Sequence, residues 1–256
     1  MIRPQQLPLD LGCRPALGRE DFLLAPANAD AVRWLDRWPR WPGPAVVVYG
    51  PAGCGKTHLA EVWRQQSGAS RLAAADLREP RLPERLLAVQ RAVPPPALVL
   101  DDAPQQLLSR DEAHGLFHLY NALSAAGGFL LLTAPCPPGD WPVELADLRS
   151  RLCAAPAVAI APPDETLLAA LLVKLLADRQ LPAEPGVIAY LAARMERSAA
   201  AALRLVAALD TASLAQRRPL TIPLARQVLA LESACAAAAP AASSSHRQTG
   251  ALHENP

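Results

Sequence analysis

An apolar run, Ala45-Val46-Val47-Val48-Tyr49, leads without a gap into Gly50-Pro51-Ala52-Gly53-Cys54-Gly55-Lys56-Thr57 and then His58. The residues from Gly50 to Thr57 satisfy the pattern G-x-x-x-x-G-K-[ST], and nothing else in the chain constrains its fold as tightly. The pattern requires a strand that ends in a tight glycine turn from which a helix starts, because only then do successive backbone N–H groups converge on one anion. Lys56 then reaches the β and γ oxygens of a polyphosphate, and Thr57 offers its hydroxyl to Mg2+. Gly50, Pro51, Ala52, Gly53, Cys54, Gly55, Lys56, Thr57 and His58 are therefore the expected nucleotide-binding residues. A chance match is the alternative, and the placement between strand and helix argues against it.

Three further short apolar runs follow: Ala97 to Leu100, Phe129 to Thr133 and Ala157 to Ile160. Separated by helical stretches, such runs predict a mostly parallel sheet buried on both faces, hence an α/β fold. Upstream, residues 27–38 read as a helix with Asn28 as N-cap and with Ala31, Trp34, Leu35 and Trp38 on one face.

Two of these strands end in polar groups. Leu100 is followed by Asp101 and Asp102. Asp101 is placed to help hold Mg2+, mostly through water, and Asp102 to polarise an attacking water. Thr133 closes the third run with a hydroxyl where a γ-phosphate sensor could sit, although β-propensity alone also accounts for a threonine there. His114 and His118 have the i,i+4 spacing of a metal pair, but no third ligand accompanies them. Asp111 and Glu112 suit the first turn of their helix.

Beyond residue 163 the strand pattern stops. Residues 164–180, 184–194, 198–214 and 221–232 each read as a helix, jointed by Pro182, Pro185, Pro219 and Pro223. The expected organisation is an extended arm over 1–18, an α/β domain over 19–162, a small all-helical domain over 163–232, and a disordered tail over 233–256 that lacks bulky apolar residues. A formal charge of +1 gives no global field for duplex DNA or an anionic membrane. Five scattered cysteines without a CxxC pair suit a reducing compartment. Charges interrupt the N-terminus, and no run approaches the roughly 18 apolar residues of a membrane span, so a cytoplasmic location is expected.

The order of glycine loop, Asp-Asp strand, polar strand end, Arg-rich helix and helical lid resembles an AAA+ module. The resemblance is closest to the Hda branch of the DnaA-related ATPases. It is carried by REDFLLAPANADAVRWLDRWP (19–39), GPAGCGKTHLAEVW (50–63), LVLDDAPQQLLSRDEAHGLFHLYNAL (98–123), LADLRSRL (145–152) and AQRRPLTIPLARQVLAL (215–231). It implies that Arg151 is an arginine finger acting in trans, with Arg149 a basic neighbour. From the residues alone, pairing of Arg151 with Asp147 one turn earlier is the favoured reading. The chain departs from the family where the lid arginine should stand, at Ala200, with Arg197 and Arg204 on either side. It departs again at Thr133-Ala134-Pro135, which lacks the acidic residue of the initiator. These departures imply weak intrinsic hydrolysis and a resident ADP or ATP with Mg2+, ADP being favoured.

The resemblance further implies a negative regulator of replication initiation. Such a protein binds the DNA polymerase sliding clamp, stimulates ATP hydrolysis by the DnaA initiator, and meets DNA only through the clamp; a homo-oligomer is left open. A helicase loader or remodelling ATPase is the alternative. Gln6-Leu7-Pro8-Leu9-Asp10-Leu11 bears on this choice. Gln6 can hydrogen-bond at a pocket rim, Leu7, Leu9 and Leu11 alternate as apolar groups, and Pro8 reduces the entropy lost on docking. The stretch resembles the clamp-binding peptide of the Hda family.

Overall fold

Successive apolar residues in each short strand demand cover on both faces of a sheet, and the computed structural model of the chain has that arrangement. It describes residues 23–84, 96–107, 109–216 and 218–238. The Gln6–Leu11 peptide, the arm over 1–18 and residues 239–256 lie outside the described residues.

The α/β part runs α1 (Ala29–Asp36), β1 (Ala45–Tyr49), α2 (Lys56–Ser67), β2 (Ser70–Leu72), α3 (Ala74–Leu77), β3 (Ala97–Leu100), α4 (Ala103–Gln106), α5 (Arg110–Ala126), β4 (Phe129–Ala134), α6 (Ala146–Ala154) and β5 (Ala157–Ala159). The five strands form one sheet in the order β2-β3-β4-β1-β5, and every pairing is parallel. Side chains alternate across it. Val46, Val48, Val99 and Leu131 meet Leu59 and Trp63 of α2. Val47, Leu98, Leu100, Leu130 and Leu132 meet Leu116, Leu119 and Leu123 of α5 and Leu148 and Leu152 of α6. Trp41 stacks on Trp63 at 5.2 Å between ring centroids and closes the first of these cores.

The lid holds α7 (Glu165–Asp178), α8 (Pro185–Ala192), α9 (Ala199–Gln216) and α10 (Ile222–Ala238). Leu168, Leu172 and Leu176 repeat every four residues along α7 and pack on Leu191, Leu205, Val206 and Leu209. That spacing aligns them on one helical face and gives the lid a core of its own.

Several sequence-based boundaries shift. The first helix ends at Asp36 rather than residue 38, so Trp38 lies in the turn beyond it. Asn28 stands at the N-cap but makes no side-chain cap bond. Its amide instead accepts from Ala25 N at 2.9 Å and donates to Leu23 O at 2.9 Å, fixing the preceding turn. The last helix continues through Ala238, past the boundary at 232. Residues 233–238, expected in the tail, are mostly alanine, the strongest helix former, and extend α10 without any need for apolar burial. β2 is an additional strand.

Candidate nucleotide site

Strand register builds the site. β4 lies between β1 and β3, with Thr133 beside Val48 and Leu132 beside Leu100. Asp101, one residue beyond Leu100, therefore falls next to Thr133. The Thr133 hydroxyl donates to Asp101 Oδ1 at 2.5 Å and accepts from Asp102 N–H at 2.7 Å. Thr133 is 1% exposed, so its hydroxyl is a buried strap between two strand ends. Asp102 takes a left-handed backbone (φ 52°) as it turns into α4, and its side chain is exposed.

The glycine loop leaves β1 at the same edge of the sheet. Gly50 N–H donates to Ala134 O at 3.1 Å, holding the loop to β4. Gly55 adopts φ 104° at the N-cap of α2, a conformation that side chains disfavour, and nothing crowds the space its missing Cβ would fill. Lys56 Nζ donates to the carbonyls of Gly50 and Pro51 at 2.7 and 2.8 Å, so the lysine lies over the loop. Thr57 Oγ1 donates to Asp101 Oδ1 at 3.2 Å. A hydroxyl and a carboxylate held together beside an open helix N-terminus are the donor set that Mg2+ on a polyphosphate requires. Burial pushes the Cys54 thiol above its ordinary pKa, with Lys56 partly opposing the shift. Cys54 is thus a neutral lining residue, half-buried like His58 on α2.

The lid reaches the loop at Gly53. Ala199 N–H donates to Gly53 O at 2.8 Å. Gly53 has φ 73°, and a Cβ there would stand 2.5 Å from the Cβ of Ser198. The lid positions weighed above lie around this contact. Ala200 is exposed and carries no donor; Arg197 is exposed; Arg204 faces Glu196 and Glu232 at 3.5 and 4.0 Å within the lid.

Arg151 lies on α6, which packs on α5. Its guanidinium carbon stands 5.0 Å from the Phe117 ring centroid and 5.6 Å from that of Tyr120, both on α5. Among the described residues no ion pair joins it to Asp147. Burial pushes the Tyr120 phenol up in pKa, and the Arg151 charge opposes this. Arg149 instead donates to Gly139 O at 3.2 Å. His114 and His118 are exposed, and no group of three or more metal-ligating side chains occurs among the described residues. Asp111 and Glu112 stand in the first turn of α5, as expected, and Glu112 also forms a capping box with Ser109.

Sequence reasoning missed two neighbours of the site. Arg71, on β2, approaches Asp101 Oδ2 at 3.6 Å. Ser198 packs on Gly53. The first sits in a strand with a single buried residue, and the second is a contact between domains; neither leaves a local signal.

A helical lid seated on the glycine loop of a five-stranded parallel sheet is the build of an AAA+ module, and the chain has that fold. Residues 164–229 match the family model described as the Hda lid domain. An uncharacterized protein of Haemophilus influenzae (strain ATCC 51907 / DSM 11121 / KW20 / Rd) is 27% identical over 190 residues, spanning 73% of this chain and 82% of that protein. Domain III of the Thermotoga maritima replication initiation protein DnaA superposes with a TM-score of 0.70 at 18% identity, covering 85% of this chain and 97% of that one. AMPPCP-bound DnaA from Aquifex aeolicus gives a TM-score of 0.56 at 21% identity, covering 70% and 60%. The chain thus shares its fold with DnaA domain III, and its C-terminal helices over 164–229 match the Hda lid, so fold and lid together support an Hda-like, DnaA-related AAA+ protein. No described helix is long and apolar enough to cross a membrane.

Proposed function

We propose that the chain is a nucleotide-holding regulator of replication initiation that presents Arg151 to the nucleotide site of a DnaA-type initiator while the Gln6–Leu11 peptide tethers it to the sliding clamp. The observation that carries this reading is the setting of Arg151: its guanidinium rests on two aromatic rings and has no carboxylate partner among the described residues. Aromatic faces orient a guanidinium without cancelling its charge, leaving it able to stabilise developing charge on a phosphoryl group of another subunit.

Within the chain's own site, the N–H groups at the start of α2 and Lys56 would hold the phosphates of ADP or ATP, and Thr57 and Asp101 would hold Mg2+. The AMPPCP-bound DnaA neighbour supports a nucleotide of this class. When bound, the ion supplies positive charge beside the phosphates. Thr133 positions Asp101 and the Asp102 backbone, while Asp102 faces solvent. Weak intrinsic turnover follows, because the Thr133 hydroxyl already serves two internal bonds and Ala200 offers no cation from the lid. A helicase loader or remodelling motor would depend on those groups. Bound nucleotide instead stabilises the folded, partner-competent state by mass action.

The test is ATP hydrolysis by the DnaA initiator in the presence of clamp loaded on DNA. The wild-type chain is expected to accelerate it, and Gln6→Ala to remove the dependence on clamp. No acceleration beyond the chain's own turnover would contradict the reading.

A further inference from the structure

Asp101 has two carboxylate oxygens, and both are engaged. Oδ1 accepts from Thr57 at 3.2 Å and Thr133 at 2.5 Å. Oδ2 faces the guanidinium of Arg71 at 3.6 Å. Arg71 reaches this carboxylate from the edge strand of the sheet, since β2 pairs with β3 and brings Arg71 beside Val99, two residues before Asp101. It also lies close enough to Glu61, one turn beyond Thr57 on α2, to help lower that carboxyl's pKa, after the larger effect of Arg64. Arg71 thus carries a positive charge beside Asp101, on the metal side of the glycine loop.

We infer that Arg71 competes with the divalent cation for Asp101, so that this chain holds nucleotide with little dependence on Mg2+. The inference rests on nucleotide occupancy of the site proposed above. An arginine cannot deprotonate at physiological pH, so its charge is permanent. A cation beside Oδ2 repels a second one and lowers the negative potential that would otherwise draw the metal and its water shell to this carboxylate. The same charge partly replaces the metal in offsetting the negative potential of Asp101 and Glu61 toward an incoming phosphate. Because Arg71 is about half-exposed, solvent weakens these effects without removing them.

The experiment measures binding of fluorescent ADP and of a non-hydrolysable ATP analogue to the full chain in EDTA and across a Mg2+ titration. Wild type, Arg71→Ala and Arg71→Lys are compared, with thermal unfolding as the folding control. Arg71→Ala is expected to bind more weakly than wild type in EDTA and to reach half-saturation at about tenfold lower Mg2+, as loss of one neighbouring charge implies. Arg71→Lys, which keeps the charge, is expected to stay near wild type. An unchanged Mg2+ midpoint in Arg71→Ala would overturn the inference while leaving nucleotide binding intact. Absence of nucleotide binding by the wild type in either buffer would overturn the occupancy reading and this inference with it.

Discussion

Ser198 of the lid occupies the space that a side chain on Gly53 would need: a Cβ built on Gly53 falls 2.5 Å from the Ser198 Cβ, and Ala199 N–H donates to Gly53 O at 2.8 Å. Loop and lid therefore meet at Gly53. The start of α9 is thus packed directly on the glycine loop.

Gly53→Ala is expected to destabilise the chain by about 1–3 kcal/mol, since it adds both a left-handed strain and a clash. Ser198→Gly removes only the clash, and itself weakens the cap, where Ser198 Oγ accepts from Ala201 N–H at 3.0 Å. The double variant should recover part of the Gly53→Ala loss. A double-mutant cycle on urea midpoints measures this coupling, and strict additivity would show that loop and lid are independent.

Thr133 connects the acids to the sheet, so its hydroxyl matters more than its volume. Thr133→Val should lose about 1–3 kcal/mol, because the Asp102 N–H is left without its acceptor and Asp101 loses a donor. Thr133→Ser keeps the hydroxyl and should lie closer to wild type. Chemical denaturation of the two variants distinguishes this strap from a threonine present for strand propensity alone, which would make valine neutral.

Acid should weaken the start of α5. Hydrogen bonds from Ser109, then the Arg78 guanidinium, hold the buried Glu112 carboxyl below its ordinary pKa. A lowered folded pKa means that stability is fully present above the unfolded value and is lost as pH falls through the folded one, below about pH 4.5. Glu112→Gln should cost about 1–3 kcal/mol at neutral pH and flatten the acid limb of the stability profile. Urea midpoints measured from pH 7 downward check both effects; equal acid limbs would contradict the assignment.

The parts of this architecture that could be read in the sequence are those that depend on local pattern. Val46 to Val48, Leu98 to Leu100 and Leu130 to Leu132 are unbroken apolar runs, and a strand buried on both faces has no other signature. β2 escaped because Ser70 and Arg71 are exposed and only Leu72 is buried. α10 outran its expected end because alanine sustains a helix through propensity, whereas the expectation relied on bulky apolar groups. The glycine loop and the two acids were legible as motifs, but the bond from Thr133 to Asp101 arises from parallel register between strands far apart in sequence. Arg151 shows the same limit. Asp147 is its neighbour along the chain, yet packing of α6 on α5 places it over Phe117 and Tyr120.

The central claim is that Arg151 acts on another subunit's nucleotide. Its most direct test is single-turnover ATP hydrolysis by the DnaA initiator with clamp on DNA, comparing wild type with Arg151→Ala after confirming that both bind nucleotide equally. The account predicts that Arg151→Ala keeps its own nucleotide affinity but loses the stimulation, a loss of about 10³–10⁵-fold for a finger of this kind. Stimulation that survives Arg151→Ala undiminished would contradict it.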